Sequence, residues 1–192
     1  MSSSIDELAG VLRRSQELGF LGQRPIDDVI EHARGFVVAL RDLAPGSRVI
    51  DLGAGGGVPG LVIAIDRPDL RITLLDRRTK RTDFLEQAVR RLGWTDRVEM
   101  AATDVARFLA DGPPPFDAVV ARGFGPPEET LRWATSLVGA DGVIVISEPP
   151  AGDRWDPAVL ADLGVRRDPS DGRPVVARFV RSTASTGEST GE

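Results

Sequence analysis

Val49-Ile-Asp-Leu-Gly-Ala-Gly-Gly-Gly-Val-Pro-Gly60 constrains this chain more than any other stretch. A short apolar run reads as a buried strand, the glycines permit positive φ and close approach of another group to the backbone, and Pro59 suits the first turn of a helix. A strand, a glycine-rich turn and a helix N-terminus in that order form a junction that cradles nucleotide-like ligands. The rest of the chain fits around such a junction. Strands are expected over 48–52, 71–75, 97–101, 116–120 and 143–147, separated by helices over 58–66, 79–92, 104–110 and 128–138. That alternation implies a doubly wound, mostly parallel α/β sheet with helical crossovers. A helix over 157–163 and short strands near Val165 and over 175–180 predict a closing antiparallel hairpin.

Ahead of the first strand, apolar residues at Ile5, Leu8, Val11, Leu12 and Leu18, and again at Val29, Ile30, Ala33, Val37 and Leu40, have helical spacing. They predict a short N-terminal helical cap over 1–44, followed by a ligand-binding domain over 45–181. The polar Ser/Thr/Gly/Glu stretch over 182–192 has too little apolar surface to offset ordering entropy and is expected to be disordered. At 192 residues and 41% hydrophobic, one ordinary core is expected. With no long apolar run and a polar N-terminus, the chain is expected to be cytoplasmic, without a membrane partner. The absence of cysteine and the presence of one histidine, His32, disfavour thiolate metal sites, cysteine nucleophiles and serine–histidine triads; no metal is expected.

Ligands of open α/β sheets lie beyond the carboxyl ends of the strands, which directs attention to the strand tips. Asp51 precedes the glycines, where a carboxylate repels a pyrophosphate and attracts the ammonium and sulfonium of S-adenosylmethionine (SAM). Gly53 and Gly55 follow it. Gly55, Gly57 and Gly60 also satisfy the dinucleotide pattern G-x-G-x-x-G, a weak signal that keeps an NAD-dependent oxidoreductase as a rival. Asp76 ends the second strand, where it either accepts both ribose hydroxyls of an adenosine ligand or caps the next helix. Asp104 follows the third strand, where an adenine ring would pack and its exocyclic amine be read, or else it is a plain N-cap of the next helix. Arg122 ends the fourth strand and can pair with a carboxylate or a phosphate. The net charge of −5 disfavours nucleic acid, yet the segment from Arg71 to Arg97 holds eight basic residues against four acidic ones. Lys80, the one lysine in the chain, lies within it.

Three segments carry a resemblance to a known family: the glycine junction from Val49 to Leu61, Leu74-Leu-Asp-Arg-Arg-Thr-Lys-Arg-Thr-Asp-Phe-Leu-Glu86, and Phe116-Asp-Ala-Val-Val-Ala-Arg-Gly-Phe124. Together they are similar to the bacterial small-subunit ribosomal RNA guanine-N7 methyltransferases of the GidB type, over about Leu18 to Val180. The Lys80-Arg81 and Phe84-Leu85 pairs fall where that family has the same pairs. The resemblance implies a Rossmann-like, class I SAM-dependent methyltransferase with a helical cap, cofactor contacts at Gly53, Val58, Val105, Ala106 and Arg122, and a family histidine at His32. It implies ribosomal RNA of the small subunit as partner, with Arg77, Arg78, Lys80 and Arg81 on the phosphate backbone; no DNA partner is expected, and the chain is expected to be a monomer. The chain also departs from the pattern. The family's acid in the adenine loop is Ala106 here, its Lys-Gly after the fifth strand is Glu148-Pro149, its aspartate after the histidine is Gly35, and its Asn-Leu-Thr is absent around Leu18 to Gly22. These departures leave two further readings beside the ribosomal enzyme, a methyltransferase with a different substrate and a non-catalytic SAM-binding module.

Overall fold

A computed structural model of the protein describes residues 4–149, 154–168 and 175–182. Two helices come first, α1 (Ser4–Glu17) and α2 (Ile26–Ala39). The chain then alternates through β1 (Arg48–Leu52), α3 (Gly60–Asp66), β2 (Arg71–Leu75), α4 (Thr79–Arg91), β3 (Val98–Ala101), α5 (Val105–Ala110), β4 (Phe116–Ala121), α6 (Pro127–Leu137) and β5 (Val138–Ser147). It ends with α7 (Pro157–Asp162), β6 (Val165–Arg167) and β7 (Val176–Arg181). The expectation of disorder for 182–192 falls, beyond Ser182, outside the described residues.

The seven strands form one sheet in the order β3-β2-β1-β4-β5-β7-β6. Pairings from β3 to β5 are parallel, whereas β7 runs antiparallel to both β5 and β6. Strand order reverses between β1 and β4, which leaves a crevice at their carboxyl ends. Helices cover both faces, so the period-2 alternation of each strand feeds two separate cores. Val49, Leu74, Val120 and Val145 pack under α1 to α4, with Leu12, Phe36 and Leu61. Ile50, Leu75, Val119 and Ile144 face the other way, onto Leu131 of α6, Trp155 and Phe179.

Sequence expectation and structure differ most at β5, which starts at Val138 rather than 143. The strand pairs Phe116 with Val138 and Ala118 with Val143, so the intervening residues bulge from the ladder. Gly142 lies where a Cβ would come within 2.9 Å of the Asp117 carbonyl oxygen, so a glycine suits the return to register. Helix α3 begins at Gly60, with Pro59 preceding it as N-cap.

The helical pair α1–α2 is seated directly on the glycine loop. Ser15 Oγ, fully buried, donates to the Gly56 carbonyl at 3.0 Å. A Cβ on Gly56 would lie 2.5 Å from that hydroxyl and 2.9 Å from the Phe20 carbonyl oxygen, so this glycine is required by close approach. At the far side, Gly35 of α2 meets the residue that leads into β7, where a Cβ would sit 2.4 Å from Val175 Cγ2. Arg178 of β7 is buried, donates to the Ala39 carbonyl at 3.0 Å and pairs with Asp168, which ties α2 to the end of the sheet. Gly56→Ala is expected to cost about 1–3 kcal/mol by overpacking, and Ser15→Ala a similar ~1–3 kcal/mol by leaving a buried carbonyl without its donor. Urea unfolding checks both; wild-type stability in Gly56→Ala would contradict the seating of the helices on the loop.

Candidate functional site

The loop after β1 is held from two sides by carboxylates. Gly53, Gly55 and Gly57 all have positive φ, at +69°, +55° and +96°, and so turn the chain sharply out of the strand. Gly55 N–H donates to Asp76 Oδ2 at 2.9 Å, and Gly60 N–H, in the first turn of α3, donates to Asp51 Oδ2 at 2.9 Å. Asp76 Oδ1 accepts from Arg78 N–H at 2.9 Å, so it also secures the start of α4. Asp76 does not cap α4, whose N-cap is Arg78 without a side-chain hydrogen bond; it fixes the turn before that helix and borders a cavity at the strand tips. Asp104 is a true N-cap, accepting from Arg107 N–H at 3.0 Å at the start of α5, and lines the same cavity.

Asp51 sits deeper than its sequence position suggests. Strand alternation turns it onto the face covered by α3, where it is 1% exposed, and it lines neither strand-tip cavity. Its Oδ1 is buried without a hydrogen-bond partner. Burial pushes its carboxyl up to about 7, a rise opposed by the Gly60 amide and the Arg122 guanidinium and reinforced by Asp76. Arg122 donates through Nε to the Val58 carbonyl at 3.1 Å, and burial lowers its own pKa, partly offset by Asp51.

Two cavities open at the carboxyl end of the sheet and share Gly123. The larger, of about 600 Å³, takes in Gly53, Asp76, Val105 and Ala106 among the expected cofactor residues, together with Arg77, Arg78 and Arg81. Its volume falls within the usual range for small-molecule sites. The second, of about 450 Å³, brings together His32, Arg122 and Glu148. Burial, then the charges of Arg122 and Arg24, hold His32 below its ordinary pKa, which favours the neutral imidazole. Gly55 and Val58 line neither cavity; they shape the loop through the Asp76 and Arg122 contacts. Lys80 is separated from its neighbours and faces a groove between α1 and α4.

Phe124 is a cavity residue that sequence reasoning missed. Its ring lies over Gly53, where a Cβ would come within 2.7 Å of Cδ2. The signal was present, since Phe124 closes the Arg122-Gly-Phe segment at the tip of β4. Trp155, a core residue behind the second cavity, was also missed: its Nε1 donates to Glu148 Oε1 at 2.6 Å.

Residues 7–148 match the family described as rRNA small subunit methyltransferase G, GidB. The chain belongs to this family. Among its relatives, the ribosomal RNA small subunit methyltransferase G of Yersinia pseudotuberculosis is 42% identical over 48% of this chain and 43% of the relative. That of Edwardsiella ictaluri is 37% identical over 62% of this chain and 55% of the relative. The chain thus spans about half the length of the curated relatives it matches. A SAM-dependent methyltransferase from Geobacter sulfurreducens, solved in complex with S-adenosyl-L-homocysteine, superposes with a TM-score of 0.57 at 23% identity, covering 72% of this chain and 64% of that one. The fold is that of class I SAM-dependent methyltransferases, as the resemblance implied, and its doubly wound sheet is the one the strand alternation led one to expect.

Within this GidB-family chain the departures have structural reasons. An aspartate at position 35 would drive its Cβ into Val175, so Gly35 belongs with this chain's own packing of α2 on β7. Glu148, 8% exposed, accepts from Trp155 and lies 3.6 Å from Arg154 Nε, so the reversed charge has cationic and N–H partners. The raised carboxyl of Asp51 has a consequence for stability. Between the unfolded value near 4 and the folded value near 7, the folded chain retains a proton that the unfolded chain has lost, so this group's contribution falls as pH rises through that window. The expected slope is roughly 1.4 kcal/mol per pH unit. Asp51→Asn, which keeps an acceptor for Gly60 N–H, should remove it; urea unfolding of both proteins from about pH 4 to about pH 8 checks this.

Proposed function

We propose that this chain transfers the methyl group of SAM to guanine N7 in small-subunit ribosomal RNA. The observation that carries the reading is the pair of cavities meeting at Gly123, one bordered by the glycine loop and Asp76, the other by His32 and Arg122. The residues fit the donor. The larger cavity has room for an adenosyl group, a carboxylate borders it at Asp76, and a buried carboxylate oxygen without a partner lies behind the loop at Asp51. SAM, when bound, supplies a methyl group activated by a sulfonium leaving group.

The protein's own part is to align donor and acceptor. Asp76 retains lone pairs for ribose hydroxyls beside those it gives to Gly55 and Arg78. Val105 and Ala106, which line the larger cavity, would hold the adenine, Arg122 would pair with the methionyl carboxylate, and Asp51, from behind the loop, would attract the ammonium. Guanine N7 carries a lone pair and no proton, so the transfer calls for proximity rather than a general base. Neutral His32 suits that task, since it positions the base without competing for its lone pair. Arg77, Arg78, Lys80 and Arg81 hold the phosphate backbone. Residues 1–44 cap a methyltransferase domain over 45–181, and the protein acts as a cytoplasmic monomer.

Glu148 favours a second reading, in which the same donor pocket serves a different acceptor, because a buried carboxylate in the second cavity repels phosphate. An amine or hydroxyl acceptor would place Asp104 or Glu148 nearest as proton acceptor. Protein-free small-subunit RNA incubated with enzyme and SAM is expected to gain 7-methylguanosine, read by mass spectrometry; no methylation of RNA with turnover of a metabolite would reject the first reading in favour of the second. Arg77→Glu with Arg78→Glu should lower RNA methylation by about 100-fold through lost phosphate contacts; unchanged activity would again favour the second reading. Calorimetry with SAM and NAD side by side is expected to show binding of SAM alone, whereas binding of NAD alone would return the chain to the dinucleotide enzymes.

A further inference from the structure

We propose that the groove between α1 and α4 takes an unstacked nucleobase of single-stranded RNA, at a site separate from the one that receives the target guanine. The inference rests on RNA being the substrate. Helix α4 places Lys80, Phe84 and Arg91 along one wall, at spacings of four and seven residues, and α1 supplies Gly10 and Arg14 on the other. The volume enclosed is about 460 Å³. Phe20 closes one end and meets Phe84 edge-on, with ring centroids 5.7 Å apart. Leu18, at the rim, is 40% exposed and is the one large hydrophobic side chain so exposed among the described residues.

An apolar, aromatic floor ringed by cations has a definite chemical complement. Lys80, Arg91 and Arg14 face a single lining acid, Asp83, although Arg14 also pairs with Glu17 at 2.8 Å. A nucleobase offers a π face to the rings while its flanking phosphates remain outside, near the cations. An apolar peptide would use the floor and leave the cations without a role. The same helix links this groove to the larger cavity: Arg78 and Arg81 border the cavity at its start, and Arg91 borders the groove at its end, a helix length of about 20 Å away. A strand running along α4 can therefore engage both.

Gly10 provides the test, since a Cβ there meets nothing within 4 Å and leucine favours the helix more than glycine does. Gly10→Leu fills the groove without burdening the fold, and a melting temperature no lower than wild type verifies that. Fluorescence anisotropy would compare a labelled single-stranded oligoribonucleotide with the same backbone bearing abasic sites. Wild type should bind the base-bearing strand about tenfold more tightly than the abasic one, and Gly10→Leu should abolish that difference. Lys80→Glu should weaken both strands and reduce the salt dependence. Equal affinity of wild type for the two strands, or an unchanged base preference in Gly10→Leu, would overturn the inference even if ribosomal RNA is methylated. Binding of an apolar peptide in competition-free assays, with no oligonucleotide binding, would overturn it in favour of a protein partner. Base-dependent binding lost in Gly10→Leu, but without methyl transfer to RNA, would support the groove and reject the ribosomal reading alone.

Discussion

The glycine loop after β1 is shaped by two backbone hydrogen bonds to acids, Gly55 N–H to Asp76 and Gly60 N–H to Asp51, and the site depends on both. A run of glycines has no intrinsic preference for one conformation, and its ordering is entropically costly. The two carboxylates specify a single path, one from the tip of β2 and the other from within β1. The loop then presents Gly53 to the larger cavity and the Val58 carbonyl to Arg122, which connects the loop with the second cavity. Because Asp51 is buried with one oxygen unpartnered, its ionisation is costly until a cation compensates it.

The helical pair at the N-terminus extends this arrangement. Ser15 reaches the Gly56 carbonyl, and the absence of a side chain on Gly56 permits the chain at Phe20 and Leu21 to close over the loop. The same helices contribute His32 to the second cavity and Gly10 and Arg14 to the groove beside α4. One small layer therefore stabilises the loop, positions the lone histidine and forms a wall of a surface suited to an extended anionic strand.

Much of this was legible in the sequence because strand and helix periods differ and the parallel strands are buried on both faces. The order of elements and the closing antiparallel hairpin follow from that pattern, whereas the reversal of strand order between β1 and β4 is seen only in the structure. Helix and strand ends were less legible: the helix expected over 128–138 and the strand over 143–147 leave a break between them, whereas the strand begins at Val138 and bulges before Val143. Neighbours in sequence also part in space at Lys80. Arg77, Arg78 and Arg81 border the larger cavity, but the helical turn carries Lys80 around to the groove with α1. Asp51 was recognisable as an unusual acid in an apolar strand, yet only the alternation of side chains explains why it supports the loop from behind instead of lining the cavity. Phe124 was legible only as the close of the Arg122-Gly-Phe segment, and Trp155 carried no signal of its own, since a lone aromatic residue is most simply read as core.

The most direct test is a carbon-detected NMR titration of the Asp51 carboxyl, with and without saturating SAM. The expected result is a midpoint near 7 in the unliganded protein, moving towards the ordinary carboxylate range when the donor's positive charge is bound nearby. An ordinary midpoint in the unliganded protein, or one near 7 that does not move when SAM binds, would contradict the role assigned to this buried acid.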